Sequence, residues 1–137
     1  VRDEAEPLSE PQIRALLESR LAPWAAARSL PVAWQNVAFT PQAGQTYLRA
    51  FVLASETESR DLAGVHRGYR GIWQVNIVAP TGGGAGAGEA LAAELADLYP
   101  MNLRLGDLQI VSAMSVREVP SDEFVLACWC RYRMDTW

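Results

Sequence analysis

The chain has 137 residues, half of them hydrophobic, which is enough for one domain with its own core but too few for a two-half dinucleotide-binding fold. It contains no lysine, so its 12 basic residues are arginines; they oppose 16 acidic residues, and the net charge of −4 disfavours a general binder of nucleic acid or anionic membrane. No apolar run approaches the roughly 20 residues that span a bilayer, and the acidic N-terminus is unlike a signal peptide, which predicts a soluble protein made inside the cell, with no membrane partner.

The chain is predicted to open with a loose tail over residues 1–8, followed by a single domain over residues 9–137. Ser9, with Gln12 three positions later and Pro11 between them, predicts a helix that begins near Ser9 and ends near Ser29. Pro23 should kink this helix or tighten its last turns. One face should pack on an apolar surface, because hydrophobic residues recur at helical spacing: Ile13, Leu16, Leu17, Leu21 and Trp24.

Strands are predicted next, in PVAWQNV and in the alternating run TYLRAFVLAS, with turn residues TPQAGQ between them. Residues 56–68 are charged and lack a clear period, which predicts a long exposed loop. Long loops in small domains usually have a function or are disordered, so this loop is a candidate interaction element. Its candidate residues, with the first arginine of the following strand, are Glu56, Glu58, Arg60, Asp61, His66, Arg67 and Arg70.

The next strand is predicted from Tyr69 to Ala79, and a second helix from about Glu89 to Leu98, which Pro100 ends. Further strands are predicted around LQIVSAM and SVREV and from Phe124 to Met134. The resulting fold class is α+β: a single domain whose mostly antiparallel, twisted sheet carries two helices on one face, in the order α-β-β-β-α-β-β-β.

Between the strand and the second helix lies the glycine-rich segment TGGGAGAG, an order that resembles phosphate sites at helix starts. A P-loop would need a lysine after the last glycine, where Glu89 stands. Gly82, Gly84 and Ala87 fit the G-x-G-x-x-A dinucleotide spacing, but the acid that would bind the ribose, Asp107, precedes a strand instead of ending one.

The favoured interpretation of this segment is therefore a connector that serves as a second candidate interaction loop, with glycines Gly82, Gly83, Gly84, Gly86 and Gly88. The alternative is a small nucleotide- or anion-binding protein that uses the Gly82–Gly88 loop at the start of the second helix.

No residues predict catalysis, a metal site or a cofactor. His66 is the only histidine available as a conventional base, and it falls in the predicted exposed loop, where neighbouring carboxylates are normally just solvated. Cys128 and Cys130 lie two apart on a predicted strand, so they share a face and are expected to be small apolar residues instead of a disulfide or metal ligands. We predict that the chain is not an enzyme.

The five tryptophans raise the possibility of a stacking platform for single-stranded nucleic acid, in which Trp73 and Trp129 would combine with Arg131 and Arg133. Tryptophan on a central strand is more often core or subunit interface, and the net negative charge removes the attraction that such binding needs. No specific nucleic-acid binding is predicted. Arg60, Arg67 and Arg70 are consistent with a local anionic site or with a salt-bridged contact to another subunit, and the contact between proteins is favoured.

Three blocks carry a resemblance to a known family: PQIRALLESRLAPWAA, VAWQNVAFTPQAGQTYLRAFVL, and RGYRGIWQVNIVAPTGGGAGAGEALAAELADLYP. Within them are PVAWQN, an F-x-P followed by glycine and YLRA, and R-G-x-x-Q-V-N running into a glycine-bearing loop and helix. Over most of residues 9–133 the chain resembles the phage tail-terminator-like family, small proteins of tailed phages and prophages similar to the terminator of lambda-like tails.

The resemblance implies a structural protein without a reaction or cofactor. Terminators of this type form a hexameric ring on the finished tail tube, stop its polymerisation and offer the surface that joins the capsid connector. The implied partners are further copies of the chain, the tail tube protein and the head–tail connector protein; a monomer in isolation stays open as the alternative to a ring-forming homo-oligomer. The implied locations are the bacterial cytoplasm during assembly and then the virion tail. The family motifs assign no residue to a particular contact.

Overall fold

The computed structural model describes residues 10–59 and 64–136. In this part of the chain the helices and strands follow in the order α1 (Glu10–Ala27), β1 (Val32–Trp34), β2 (Tyr47–Glu58), β3 (Arg67–Ala79), α2 (Gly86–Leu98), β4 (Arg104–Leu105), β5 (Leu108–Ile110), β6 (Ser115–Val119) and β7 (Phe124–Thr136). The predicted α+β class and element order are confirmed. The structure contains one strand that was not predicted, β4, whose two residues are too few to produce a periodic pattern.

The strands form one mixed sheet in the order β1-β2-β3-β7-β5-β4, and β6 also pairs with β7. The three long strands β2, β3 and β7 are antiparallel to one another and form its centre. β1 lies parallel to β2 at one edge. On the far side of β7, β6 occupies the stretch from Val125 to Trp129 and β5 the stretch from Tyr132 to Met134.

The main hydrophobic core lies on one face of the sheet, beneath both helices, as predicted; a small second cluster, Tyr47, Val78 and Val125 with Phe39 against them, lies on the other face. Strand alternation directs every second side chain toward this face. Apolar side chains of α1 and α2 join them in one buried cluster that includes Ile13, Leu17, Leu21, Trp73, Leu95 and Leu126. No helix in the described segments is long and apolar enough to cross a membrane.

Side-chain hydrogen bonds hold α1 to its neighbours. The buried hydroxyl of Tyr99, just after α2, donates to the Leu17 carbonyl oxygen over 2.7 Å. Gln35 follows β1, and its Oε1 accepts bonds of 2.8 Å from the Arg14 guanidinium and from the Val52 amide. The Gln35 side chain thus satisfies a backbone donor of β2 just where β1 ends.

Cys128 and Cys130 are free thiols on the helix-packed face of β7, which confirms their predicted shared face. Burial raises the pKa of each thiol to about 12, so both remain protonated at neutral pH.

Several boundaries differ from the sequence prediction. β2 and β3 extend further than expected, and Glu58 pairs with Gly68, so residues 57, 58, 67 and 68 belong to strands instead of a loop. A register shift between Ala54 and Thr57 interrupts the alternation there, which explains why no strand period is visible. α2 begins at Gly86, three residues before the predicted Glu89.

Candidate interaction surfaces

The outer end of the β2–β3 pair carries the first group of predicted interaction residues. Glu58 ends β2, and Arg67 and Arg70 lie at the start of β3. The Arg70 guanidinium is 2.7 Å from the Glu58 carboxylate, and both side chains contact solvent. An exposed pair of this kind contributes little to stability. The remaining residues of this group lie outside the described part of the chain: Arg60, Asp61 and the side chain of Glu56.

His66 is buried, contrary to its predicted place in an exposed loop; only 1% of its surface is accessible. Its Nε2 lies 2.8 Å from Oδ1 of Asp135, a residue 69 positions further along the chain. Arg133 donates two further hydrogen bonds to the Asp135 carboxylate, at 2.9 and 3.3 Å. These three side chains connect the start of β3 to the end of β7.

The surroundings of Asp135 favour its ionised form. The hydrogen bond from Arg133 is the main cause that lowers the pKa of Asp135; partial burial opposes it, and the bond to His66 adds to it. Sequence reasoning missed Asp135. The available signal was the alternation of Arg131, Arg133 and Asp135 on one face of the last strand.

A histidine beside a carboxylate also occurs in catalytic sites, where the carboxylate orients the ring toward a nucleophile. Here the imidazole is enclosed. A Cβ added at Gly68 would lie 3.3 Å from both His66 Cε1 and Asp135 Oδ1, so the neighbouring backbone closes over the pair. No described cluster of three or more histidine, cysteine or acidic residues is arranged to hold a metal ion. The His66–Asp135 pair therefore acts as a structural tie.

Replacing Asp135 by asparagine is expected to lower Tm at pH 7 and to have a diminishing effect as the solution is acidified. The folded-state pKa of Asp135 lies below its unfolded value of about 3.9, so its stabilisation is complete above that value and is lost as the pH falls through the folded pKa. Thermal unfolding of both proteins between pH 7 and pH 2 measures this. Asp122→Asn, in an exposed turn, is the control; a Tm difference for D135N that stays constant down to pH 2 would contradict the assignment.

The glycine segment forms the exposed passage from β3 to α2. Gly82 and Gly84 have φ angles of +91° and +82°, which L side chains rarely adopt. Ala85 precedes the helix without a side-chain cap, and α2 contains no basic residue. Gly88 has a different function, because a Cβ there would lie 3.0 Å from the Phe124 ring; it allows α2 to pack closely on β7.

The surrounding topology does not match the dinucleotide fingerprint. That fingerprint belongs to a βαβ unit of neighbouring parallel strands. Here β3 lies between β2 and β7, both antiparallel to it, and the described strand after α2 is β4 at the sheet edge. Asp107 is exposed in the turn between β4 and β5.

The structure separates the two predicted interaction loops. The described part of the 56–68 segment lies at the start of β3, and the glycine segment follows the end of β3. β3 has 13 residues, and at about 3.3 Å per residue its ends are roughly 40 Å apart. The two loops can therefore contact different partners but do not form one site.

A third surface, not predicted from the sequence, lies on the side of β2, β3 and β7 opposite the helices. We call it the helix-free face. Its central rows follow from the strand register: Phe51, Gln74 and Trp129, then Leu53, Ile72 and Arg131. Leu53 is 45% exposed.

Two depressions shape the helix-free face. One of about 370 Å³ has Ile72, Ala127 and Trp129 along its floor, with Arg117 and Val119 contributed by β6. The second, about 690 Å³, is lined in part by Leu53, Arg70, Arg131 and Arg133. They adjoin at Ile72. Apolar floors edged by arginine are typical of protein-binding surfaces.

Two arginines on this face have no partner among the described residues. Arg117 and Arg131 are exposed, and neither side chain forms an ion pair or hydrogen bond there. Trp129 is partly buried; it lies two residues before Arg131 on β7 and pairs with Ser115 of β6, the strand that carries Arg117. Trp73, by contrast, is fully buried on the other face of the sheet, so the two tryptophans do not form a common stacking platform.

A family model described as phage tail terminator protein matches residues 12–124. The chain belongs to the phage tail terminator family. This family member is similar to a solved structure with 42% sequence identity and a TM-score of 0.78; the match covers 96% of the present chain and 99% of the chain in the solved structure. In all, eight chains of solved structures match. No curated protein matches.

The motifs behind the resemblance have structural functions in this terminator family member. The glutamine of PVAWQN is Gln35, which ties α1 to β2. In R-G-x-x-Q-V-N, Gly71 leaves room for the Tyr132 ring. Gln74 donates to Asn76 over 2.8 Å on the helix-free face. The Gln35 bonds join separate elements, whereas the Gln74–Asn76 bond lies within β3. The tail terminator family is structural, not enzymatic.

Proposed function

We propose that this chain caps the finished tail tube as a ring, stops tube polymerisation and presents the surface to which the head connector binds. The observation that carries the proposal is the family match over residues 12–124. The partners are further copies of the chain, the tail tube protein and the connector protein. Assembly takes place in the bacterial cytoplasm, and the protein then remains in the virion tail.

A ring requires each subunit to offer two different surfaces. In a head-to-tail interface one patch binds another on the next copy, and a closing rotation fixes the number of subunits. Surfaces left over on the ring can then contact the tube on one side and the connector on the other. The glycine segment and the 56–68 segment, at opposite ends of β3, are suited to such contacts.

The proposal is tested by deleting the gene in the phage or prophage that encodes the chain and imaging the particles by electron microscopy. We expect tails of abnormal length that lack heads, and restoration by the wild-type chain supplied on a plasmid. Imaging purified protein with the cognate tube protein should show rings at tube ends. Normal tails with attached heads in the deletion strain, or neighbouring genes that encode metabolic enzymes, would refute a terminator function.

Neutralising the acidic residues of the 56–68 segment should impair docking if this segment contacts the tube. Glu56→Gln, Glu58→Gln and Asp61→Asn together are expected to lengthen tails and reduce capping, because they remove charge from an element at the end of the sheet. The matched control is Asp122→Asn with Glu123→Gln, in the exposed turn before β7. Unchanged tail length and capping in the triple variant would show that this segment is not the docking element.

Nucleotide or anion binding by the Gly82–Gly88 loop stays a separate prediction, tested by thermal shift. A ligand that binds only the folded state at 100 times its Kd stabilises it by about 2.7 kcal/mol. A rise in Tm with ATP, NAD or phosphate that Gly84→Ala removes would favour this function. Since no described lysine or arginine belongs to α2 or the glycine turn, we expect no shift.

A further inference from the structure

We infer that the helix-free face of one subunit binds the outer side of α2 on a second copy of this chain. This inference rests on the proposed ring function and names the two surfaces that would form the subunit interface. The contact is head to tail: a basic, partly apolar face meets an acidic helix of small residues.

The basic surface combines charge with apolar area. Arg117 and Arg131 extend from neighbouring strands without partners among the described residues. The apolar floors of the two depressions lie between and beside these arginines, and they include Trp129, Ile72 and the exposed Leu53. A partner that supplies carboxylates around a small apolar contact would satisfy both features.

The outer side of α2 has the complementary chemistry. Its 13 residues, GAGEALAAELADL, contain three acids and no base. Glu89 and Asp97 are exposed and form no ion pair within the described segments, whereas Glu94 is bound to Arg28 at 2.6 Å. Ala90 and Ala93 are exposed between the two free carboxylates. Alanine at these positions gives the arginine-bearing sheet close access to the helix.

The two surfaces lie on opposite sides of the subunit. α2 packs on β3 and β7 through Gly88, Ala92 and Leu95, so its exposed acids are directed away from the sheet, whereas the helix-free face is the reverse side of the same strands. Neither surface suits a second copy of itself, because arginine would meet arginine and carboxylate would meet carboxylate. The complementary pairing leaves one free surface of each kind after every addition until a ring closes.

Charge reversal tests this pairing. The first variant is Arg117→Glu with Arg131→Glu, which makes the face acidic. The second is Glu89→Arg with Asp97→Arg, which makes α2 basic. The third combines all four substitutions, and Arg104→Glu, an exposed arginine on β4, is the charge control. Each protein is assayed for assembly by mass photometry and for rescue of tail length in the deletion strain, and circular dichroism verifies folding.

We expect each two-residue variant to assemble at least tenfold more weakly than wild type and to fail in rescue. A mixture of the two should assemble, because acidic faces then meet basic helices and basic faces meet acidic helices in alternation. The four-residue variant should assemble alone, and Arg104→Glu should behave as wild type.

The inference is overturned if either two-residue variant assembles and rescues normally, or if neither the mixture nor the four-residue variant regains assembly. In the second case the face serves another partner, and binding of wild type but not R117E/R131E to the tube protein or to DNA would identify it. The ring function itself is judged on the wild-type chain alone. A wild type that forms rings but leaves tail length uncorrected refutes the proposed function and leaves the charge-reversal result to decide the interface.

Discussion

Replacing Trp73 by alanine is expected to lower the free energy of unfolding by about 3–5 kcal/mol. The Trp73 side chain has no accessible surface and lies in the centre of the core, with its ring centroid 5.8 Å from that of Tyr99. Its removal leaves a cavity that strands β2, β3 and β7 cannot close without disturbing the sheet. Because domains of this size are stable by roughly 5–15 kcal/mol, a large share of the stability would be lost. Urea unfolding followed by far-UV circular dichroism measures the effect.

Trp129→Ala provides the matched control for this prediction. Trp129 lies on the strand next to Trp73 but on the helix-free face, where it is only partly buried. We expect a smaller loss of stability and a larger loss of assembly, because an aromatic residue in a contact surface often dominates its binding energy. Equal losses of stability from the two alanine variants would show that the assignment of core and open face is wrong.

Gly71→Ala is expected to destabilise the chain by about 1–3 kcal/mol or more, although it adds only one methyl group. A Cβ at this position would lie 2.5 Å from the Leu53 carbonyl oxygen and 2.7 Å from Tyr132 Cζ, and it would also overlap the Tyr132 hydroxyl. The Leu53 oxygen belongs to the backbone of the adjacent strand and cannot rotate away. The strands must therefore separate locally, which a lowered Tm and a lower urea midpoint would report.

Two other glycine-to-alanine substitutions distinguish the cost of steric overlap at Gly71 from the effect that replacing any glycine has on stability. Gly83→Ala has open space around the added methyl and an ordinary φ, so it should be nearly neutral. Gly88→Ala meets the Phe124 and Leu126 side chains at 3.0 and 3.3 Å, but these can shift, and alanine is the better helix residue by about 1 kcal/mol. We expect the loss to be greatest at Gly71, smaller at Gly88 and least at Gly83; a loss at Gly83 as large as that at Gly71 would contradict the steric explanation.

The central strands and both helices could be predicted because their patterns are local. Leu126, Cys128 and Cys130 alternate with outward-facing residues in β7, and Ile13, Leu17 and Leu21 follow the helical period in α1. The boundaries were less predictable. The outer end of β2 contains a register shift and charged residues, so it resembles a loop, and its strand pairing with β3 becomes visible only in three dimensions.

The candidate interaction residues also divide into those whose position follows from a local pattern and those whose position depends on distant parts of the chain. Glu58, Arg67 and Arg70 do lie together at one end of the sheet, as their closeness in sequence predicts. His66 does not share their exposure, because its partner Asp135 is 69 residues away and no local pattern connects the two. Arg117 was not singled out for a similar reason: its strand carries no buried residue, and only its pairing with β7 places it beside Trp129.

The α+β class, the order of the elements, the packing of both helices on one face and the resemblance to tail terminators could be predicted, because these depend on residue periodicity and on motifs that lie within short stretches. The three-dimensional structure was needed to show which arginines share the helix-free face, which acids of α2 are directed away from it, and that His66 is a buried tie. Those relations join residues distant in the chain, and they are fixed by strand register and by the side of the sheet on which each helix packs.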